Sequence, residues 1–291
     1  MEFASVLIAG LAIGSVYALV ALSVNIVYSA RRIVNFAQGD LVMLAGLVGA
    51  VVIVSWGVPY VLGLVAVSAV IIVLALVIER LAVRPLSTDD SSIAWILSIV
   101  AVAIVLSNAM VLIFGTDARQ FPSLISNRPV DVGALRIVPD HLTAIFGTMV
   151  FLVILHLAQT RTLHGKAMRA AARDPEMAAM LGIPVRWYIA GAFGLSGVMA
   201  AIAAFLVGPM TFVSAHLGFA LGIKGFAAAA MGGLGSFGGA VIGGLLLGLA
   251  ETLSAAYIGS AAKDSVSLAI LCVILIVRPT GLLGEPRVTK L

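Results

Sequence analysis

The chain has 291 residues, of which 62% are hydrophobic and only 10% charged, with a formal charge of +4 and a mean hydropathy of +1.19. Soluble domains run near half and a quarter on the first two counts, so a water-soluble globule is excluded and one polytopic, all-α transmembrane domain over 1–291 is expected. The positive balance needs no nucleic acid to explain it, because a basic groove with interleaved aromatics is absent from the sequence.

Apolar runs of about the 20 residues that cross a bilayer predict spans at 5–29, 33–55, 59–83, 92–114, 141–160, 188–208, 217–233, 236–257 and 264–279. The first has no basic n-region and no A-x-A-like cleavage site after it, so it reads as a retained span. On it Gly10, Gly14, Ala18, Ala21 and Asn25 share one face, where small residues admit a neighbouring backbone and Asn25 can bond across. The run at 217–233 is short, glycine-rich and holds Lys224, which suits a broken or re-entrant helix lined by protein; the count is therefore eight or nine spans. In the next, Gly235/Gly239, Gly239/Gly243 and Gly244/Gly248 repeat the GxxxG spacing, read as packing within one subunit, with a subunit interface or moving seam as alternatives.

Polar groups at membrane depth cost several kcal/mol unless they face a cavity or a partner. Candidates for a translocation path are Asn35 and Gln38, sharing a face of the second span, with Asn108, Lys224 and Glu251; Asp40 points elsewhere. Lys224 and Glu251 read equally as a structural pair, and Glu79 as a snorkelling or ion-paired neighbour of Arg80. Between about 115 and 140 the chain is polar, with Asp117, Arg119, Arg128, Asp131, Arg136 and Asp140 among Pro and Gly; this outer loop is the first candidate surface for an extracytoplasmic partner, with Lys263 and Asp264 as further contributors.

The stretch from about 161 to 187 breaks the oily pattern. Asp174 suits the N-cap of a helix, Pro175 its first position, and Glu176 the positive end of its dipole, while Gly182 and Pro184 end it. Two turns result, with Met177, Met180 and Leu181 on one side: a short apolar stripe in want of a partner. With this segment inside, twelve basic residues are cytoplasmic: Arg31, Arg32, Arg80, Arg84, Arg161, Lys166, Arg169, Arg173, Arg186, Arg278, Arg287 and Lys290. Arg119, Arg128, Arg136 and Lys263 lie outside, so the N-terminus is expected outside and the C-terminus inside, in a plasma or inner membrane.

Catalytic patterns do not assemble. No phosphate-loop G-x-x-x-x-G-K-[ST] occurs, so ATP hydrolysis by this chain is not expected. His141, His156, His164 and His216 are too scattered to suggest a metal site, and the lone Cys272 reads as packing.

Five segments together resemble the LivH-type permease of branched-chain amino-acid ABC importers: NFAQGDLVMLAG (Asn35 to Gly46), RPL (Arg84 to Leu86), GKAMRAAARDPEMAAMLGI (Gly165 to Ile183), GIKGFAAAAMGGLGSFGGAVIGGLLLGLAE (Gly222 to Glu251) and RPTGLLG (Arg278 to Gly284). The resemblance implies a heterodimer with a LivM-like permease, two cytoplasmic ATPase subunits that hold ATP and Mg, and an extracytoplasmic substrate-binding protein. It makes 161–187 the coupling loop, with Gly165, Arg169, Arg173, Asp174, Glu176, Met177, Met180, Leu181 and Gly182 at the ATPase contact. Permeases for an amide or urea, an aromatic amino acid or a sugar are the nearer competitors; an ATP-independent transporter or channel, or a membrane enzyme, are the more distant ones.

Overall fold

The computed structural model describes residues 2–86, 94–125, 130–132, 135–215 and 217–284. Arg128, His216, Arg287 and Lys290, weighed above, lie outside the described residues, as do the side chains of Asp131 and Arg136.

Eight helical segments are long and apolar enough to cross a membrane. They are α1 (Glu2–Arg31), α2 (Gln38–Ala50, extended by a π-helical turn Val51–Ser55), α3 (Tyr60–Ile78, extended through Glu79–Val83 and Arg84–Leu86), α4 (Ala94–Phe114), α5 (Pro139–Arg161), α8 (Val185–Val207), α10 (Phe237–Tyr257) and α11 (Lys263–Val277, preceded by a turn at Ser260–Ala262). Between α5 and α8 lie the short α6 (Leu163–Arg173) and α7 (Pro175–Met180). A shorter apolar helix, α9 (Leu217–Gly232), occupies the expected irregular span. Its 16 residues rise about 24 Å, less than the roughly 30 Å of a hydrocarbon core. The outer loop of this helical bundle also holds a small antiparallel hairpin, β1 (Val130–Val132) with β2 (Leu135–Ile137), with Asp131 in register with Arg136.

Helices α1, α2, α8, α9 and α10 form the core. Their small residues allow it: a methyl at Gly248 would strike the backbone of Gly14, one at Gly244 the backbone of Ala18, and one at Gly243 the carbonyl of Ala228. A methyl added at Gly10 would lie 3.1 Å from Leu249 Cδ2, so the predicted face of α1 is its seam with α10 inside one subunit. Gly239 meets Gly232 of α9, but Gly235 does not belong to this seam; it precedes α10 in a turn with φ +88°, where the GxxxG spacing has no helical meaning. Asn25 bonds across as expected, to that turn: Nδ2 donates to the carbonyls of Ser236 (3.0 Å) and Gly233 (3.3 Å), and Oδ1 accepts from the Gly235 amide (3.2 Å). Beyond α11, the amides of Leu282 and Leu283 donate to Met231 and Gly232, satisfying the last carbonyls of α9. The RPTGLLG segment is thus a lid on a helix end.

Glu79 is buried and pairs with Arg84 (3.3 Å), not with Arg80, which is exposed. The π-helical turn at Glu79–Val83 is the reason: its wider repeat brings residues five apart onto one side.

Candidate functional site

Two features combine chemistry with position. The first is at the middle of the bundle. Predicted to lie in a span from residue 33, Asn35 instead precedes α2, and residues 33–37 run without helical structure before the helix begins at Gln38. Asn35 Oδ1 accepts the Ala37 amide (3.2 Å) and its Nδ2 donates to Gln38 Oε1 (3.3 Å), so the two side chains meet through a turn rather than along a helix face. Gln38 Nε2 donates to the carbonyl of Ser196 (3.0 Å), near the midpoint of α8. The N-terminus of α2 therefore opens halfway along its neighbours. There Gly39 crosses the start of α9 so closely that a methyl on it would strike the Gly218 carbonyl and the Gly222 backbone. Asp40 does point elsewhere, accepting from Ser107 Oγ (2.6 Å) of α4. Asn108 is not part of this crossing: it is exposed on α4 and donates to Ile104 of its own helix (2.8 Å). A sequence reading drawn to the amide of Asn108 passes over the plainer hydroxyl beside it.

A separate ionic cluster joins α1, α9, α10 and α11. Glu251, fully buried, accepts from Lys224 (2.9 Å), Lys263 (2.7 Å) and Tyr17 (2.9 Å to Oε2), while Lys224 also reaches Asp264 (2.8 Å). Two cations face two anions, so the group is neutral as a whole and its buried charges are paired. Lys263 and Asp264, read as outer-turn residues, close this network from the start of α11. Tyr17 went unread, although its place three residues beyond Gly14 put it on the packing face of α1.

The second feature is the projection between α5 and α8. Thr162 caps α6 by accepting the Gly165 amide (3.0 Å), and Gly165 lies so close to Ala158 and Gln159 that only hydrogen fits. The chain thereby turns sharply back across the end of α5. Asp174 Oδ1 accepts the Met177 amide (3.0 Å), capping α7, and Gly182 leaves it at φ +79°. Arg169, Arg173, Asp174 and Glu176 are exposed along this element. Only Ala178 of α7 turns inward; Met177, Met180 and Leu181 are 56%, 80% and 78% exposed. Three large apolar side chains are thus held out on a capped helix, beside the ends of α1 and α8.

The family model described as "Branched-chain amino acid transport system / permease component" matches residues 6–277. The chain is 38% identical to the high-affinity branched-chain amino acid transport system permease protein LivH of Escherichia coli (strain K12), covering 97% of this chain and 95% of that one. The LivH protein of Salmonella typhimurium is similar to the same degree, and BraD of Pseudomonas aeruginosa is 36% identical over 98% of this chain and 96% of its own. Among solved structures, PsaBC from Streptococcus pneumoniae in complex with Fab has a similar fold, with a TM-score of 0.50, 16% identity and coverage of 94% of this chain and 91% of that one. A match along nearly the full length places the chain in the family of branched-chain amino acid transport permease components.

Proposed function

We propose that this chain is a permease subunit of an ATP-driven importer and forms half of the path by which Leu, Ile and Val, delivered by an extracytoplasmic binding protein, cross the membrane. The supporting observation is α7: a two-turn helix, capped at both ends, that exposes Met177, Met180 and Leu181 on a protein whose family works in transport systems. An apolar helix face of this kind fits a groove on a partner. The partner is a cytoplasmic ATPase, one of two that bind ATP and Mg; a LivM-like permease supplies the other half of the path. This reading puts α6 and α7 in the cytoplasm, with the N-terminus outside and the C-terminus inside.

The mechanism follows from rigidity at one end and smooth seams at the other. ATP binding draws the two ATPases together, and α6 and α7 move with them because Gly165 and the caps at Thr162 and Asp174 fix the element's shape. Helices whose contacts are glycine on glycine, as at α1/α10, carry few interlocking side chains, so they can shift between outward-open and inward-open packings. The path needs an apolar lining with a few groups for the zwitterion. Asn35 and Gln38, at the mid-bundle opening of α2, fill that need; the helix N-terminus beside them favours a carboxylate.

The test is Met180→Asp or Leu181→Asp in the intact complex in proteoliposomes. Both positions are exposed in this chain, so the permease should insert at normal levels while substrate-stimulated ATP turnover and uptake are lost. Unchanged uptake would refute the coupling role.

A further inference from the structure

At the end of the bundle that carries α6 and α7, a cleft of about 630 Å³ opens between them and the ends of α1, α3, α4 and α8. Four arginines line it: Arg31 and Arg32 at the end of α1, Arg173 at the α6–α7 junction and Arg186 in the first turn of α8. Among the described residues no carboxylate lines the cleft, and Arg32, Arg173 and Arg186 pair with none. Among the described residues the acidic groups on the surrounding elements are committed or turned away: Glu79 holds Arg84 (3.3 Å), Asp174 caps α7 (3.0 Å) and Glu176 is exposed; Asp89 and Asp90, between α3 and α4, lie outside the described residues.

Arg32 is set apart by its backbone. It alone among the described non-glycine residues has positive φ (57°), and its guanidinium lies 5.6 Å from the centroid of the Tyr28 ring. A side-chain-bearing residue in the left-handed region is an unfavourable conformation that persists where the surroundings demand it. The rest of the lining includes the apolar Val83, Trp95 in the first turn of α4, and the buried Ile189. The site thus combines guanidinium groups with hydrocarbon.

Like charges around one volume repel unless an anion joins them, and guanidinium groups match the geometry of phosphate oxygens. A soluble phosphate would use the arginines and leave the apolar wall idle. A phospholipid uses both, and basic pockets between helix ends on the cytoplasmic side are suited to its headgroup. We propose that this cleft binds the phosphate headgroup of an anionic phospholipid, with the glycerol and upper acyl chains against Trp95 and Val83, so that lipid fills the space between the coupling element and the membrane-spanning helices. The inference rests on the placement of α6 and α7 at the cytoplasmic face.

The experiment is native mass spectrometry on the delipidated intact complex in detergent, titrated with phosphatidylglycerol or phosphatidylcholine and competed with inorganic phosphate. The wild-type complex should bind phosphatidylglycerol at least about tenfold more tightly than phosphatidylcholine, at about 1 kcal/mol for each arginine near the headgroup. The Arg32→Gln/Arg186→Gln complex should lose about thirtyfold in phosphatidylglycerol affinity on the same scale, and its melting temperature before lipid is added should be unchanged. If that pair fails to assemble, Arg173→Gln alone should lose about fivefold. Equal binding of the two lipids, retained affinity in an assembled variant, or displacement of the lipid by phosphate would each overturn the proposal. Binding in detergent does not require docking through α7, so a Met180→Asp complex that keeps coupled turnover but discriminates between the lipids would sink the functional reading and leave this one standing.

Discussion

At Gly248 the side chain is a hydrogen because the backbone of Gly14 occupies the place of a methyl. Gly248→Val must therefore separate α1 from α10, and overpacking of this kind costs about 1–3 kcal/mol or more when backbone has to move. Gly191→Ala is the control: nothing lies within 4 Å of a Cβ built there, and removing a helical glycine should leave stability unchanged or raise it by about 0.5–1 kcal/mol. Melting temperatures of the detergent-solubilised variants separate the two outcomes, and equal losses would show that the seam is not set by the α1/α10 contact. Glu251 makes the complementary case for charge. Glu251→Ala strands Lys263 beside Tyr17 and leaves Lys224 only the exposed Asp264, and breaking a buried pair from one side costs about 3–5 kcal/mol. Lys224→Met combined with Glu251→Leu should recover much of that loss, because the charges that lose their partners, Lys263 and Asp264, are 37% and 73% exposed at the start of α11; a double variant as unstable as Glu251→Ala would contradict this pairing.

Among the elements, α7 was legible from sequence because everything that shapes it is local. Asp174, Pro175 and Gly182 act within a few bonds of the helix they start and stop, and the structure has each doing so. The seam of α1 was legible for the same reason, since helical spacing alone puts Gly10, Gly14 and Ala18 on one side; that α10 covers it was not, because spacing names no partner. The opening of α2 was misplaced by five residues. Hydropathy continues unbroken from Ile33, and only the long-range bond from Gln38 to Ser196 and the approach of Gly39 to Gly218 reveal that the chain enters the bundle before it coils. The partner of Glu79 was missed because a π-helical turn changes which residues are neighbours. A prediction belongs to α7 itself: Asp174→Ala removes its only side-chain cap, a loss of about 1 kcal/mol. Because the helix has two turns, that loss should loosen it locally without unfolding the bundle. Hydrogen exchange of the amides at 177–181 should rise while those of α10 stay protected, and ATP coupling should fall but remain. Protection unchanged at 177–181 would mean that packing of Ala178, not the cap, holds the helix.

For the whole molecule, the division between an inner set of helices and an outer set decides what surrounds it. α4, α5 and α11 present large apolar faces, with Leu112 at 87%, Phe146 at 61% and Ile276 at 82% exposure, faces suited to lipid or to an apolar partner. The ends sort as well. One end gathers Arg31, Arg32, Arg173 and Arg186 around the cleft beside α7, whereas at the other the outer loop pairs with the α8–α9 connection through Arg119 and Val213. Basic residues are retained on the cytoplasmic side, so the first end should face inward. Cysteine labelling checks this without reference to transport. In a Cys272→Ser background, Met180→Cys and Leu124→Cys both offer exposed positions, 80% and 51% open, on the two ends. A membrane-impermeant maleimide added to intact cells should label Leu124→Cys and spare Met180→Cys, and permeabilisation should expose the second. The reverse pattern would put α7 beyond the reach of any cytoplasmic ATPase, and with it would fall the proposed coupling to nucleotide hydrolysis, whatever the α1/α10 seam permits.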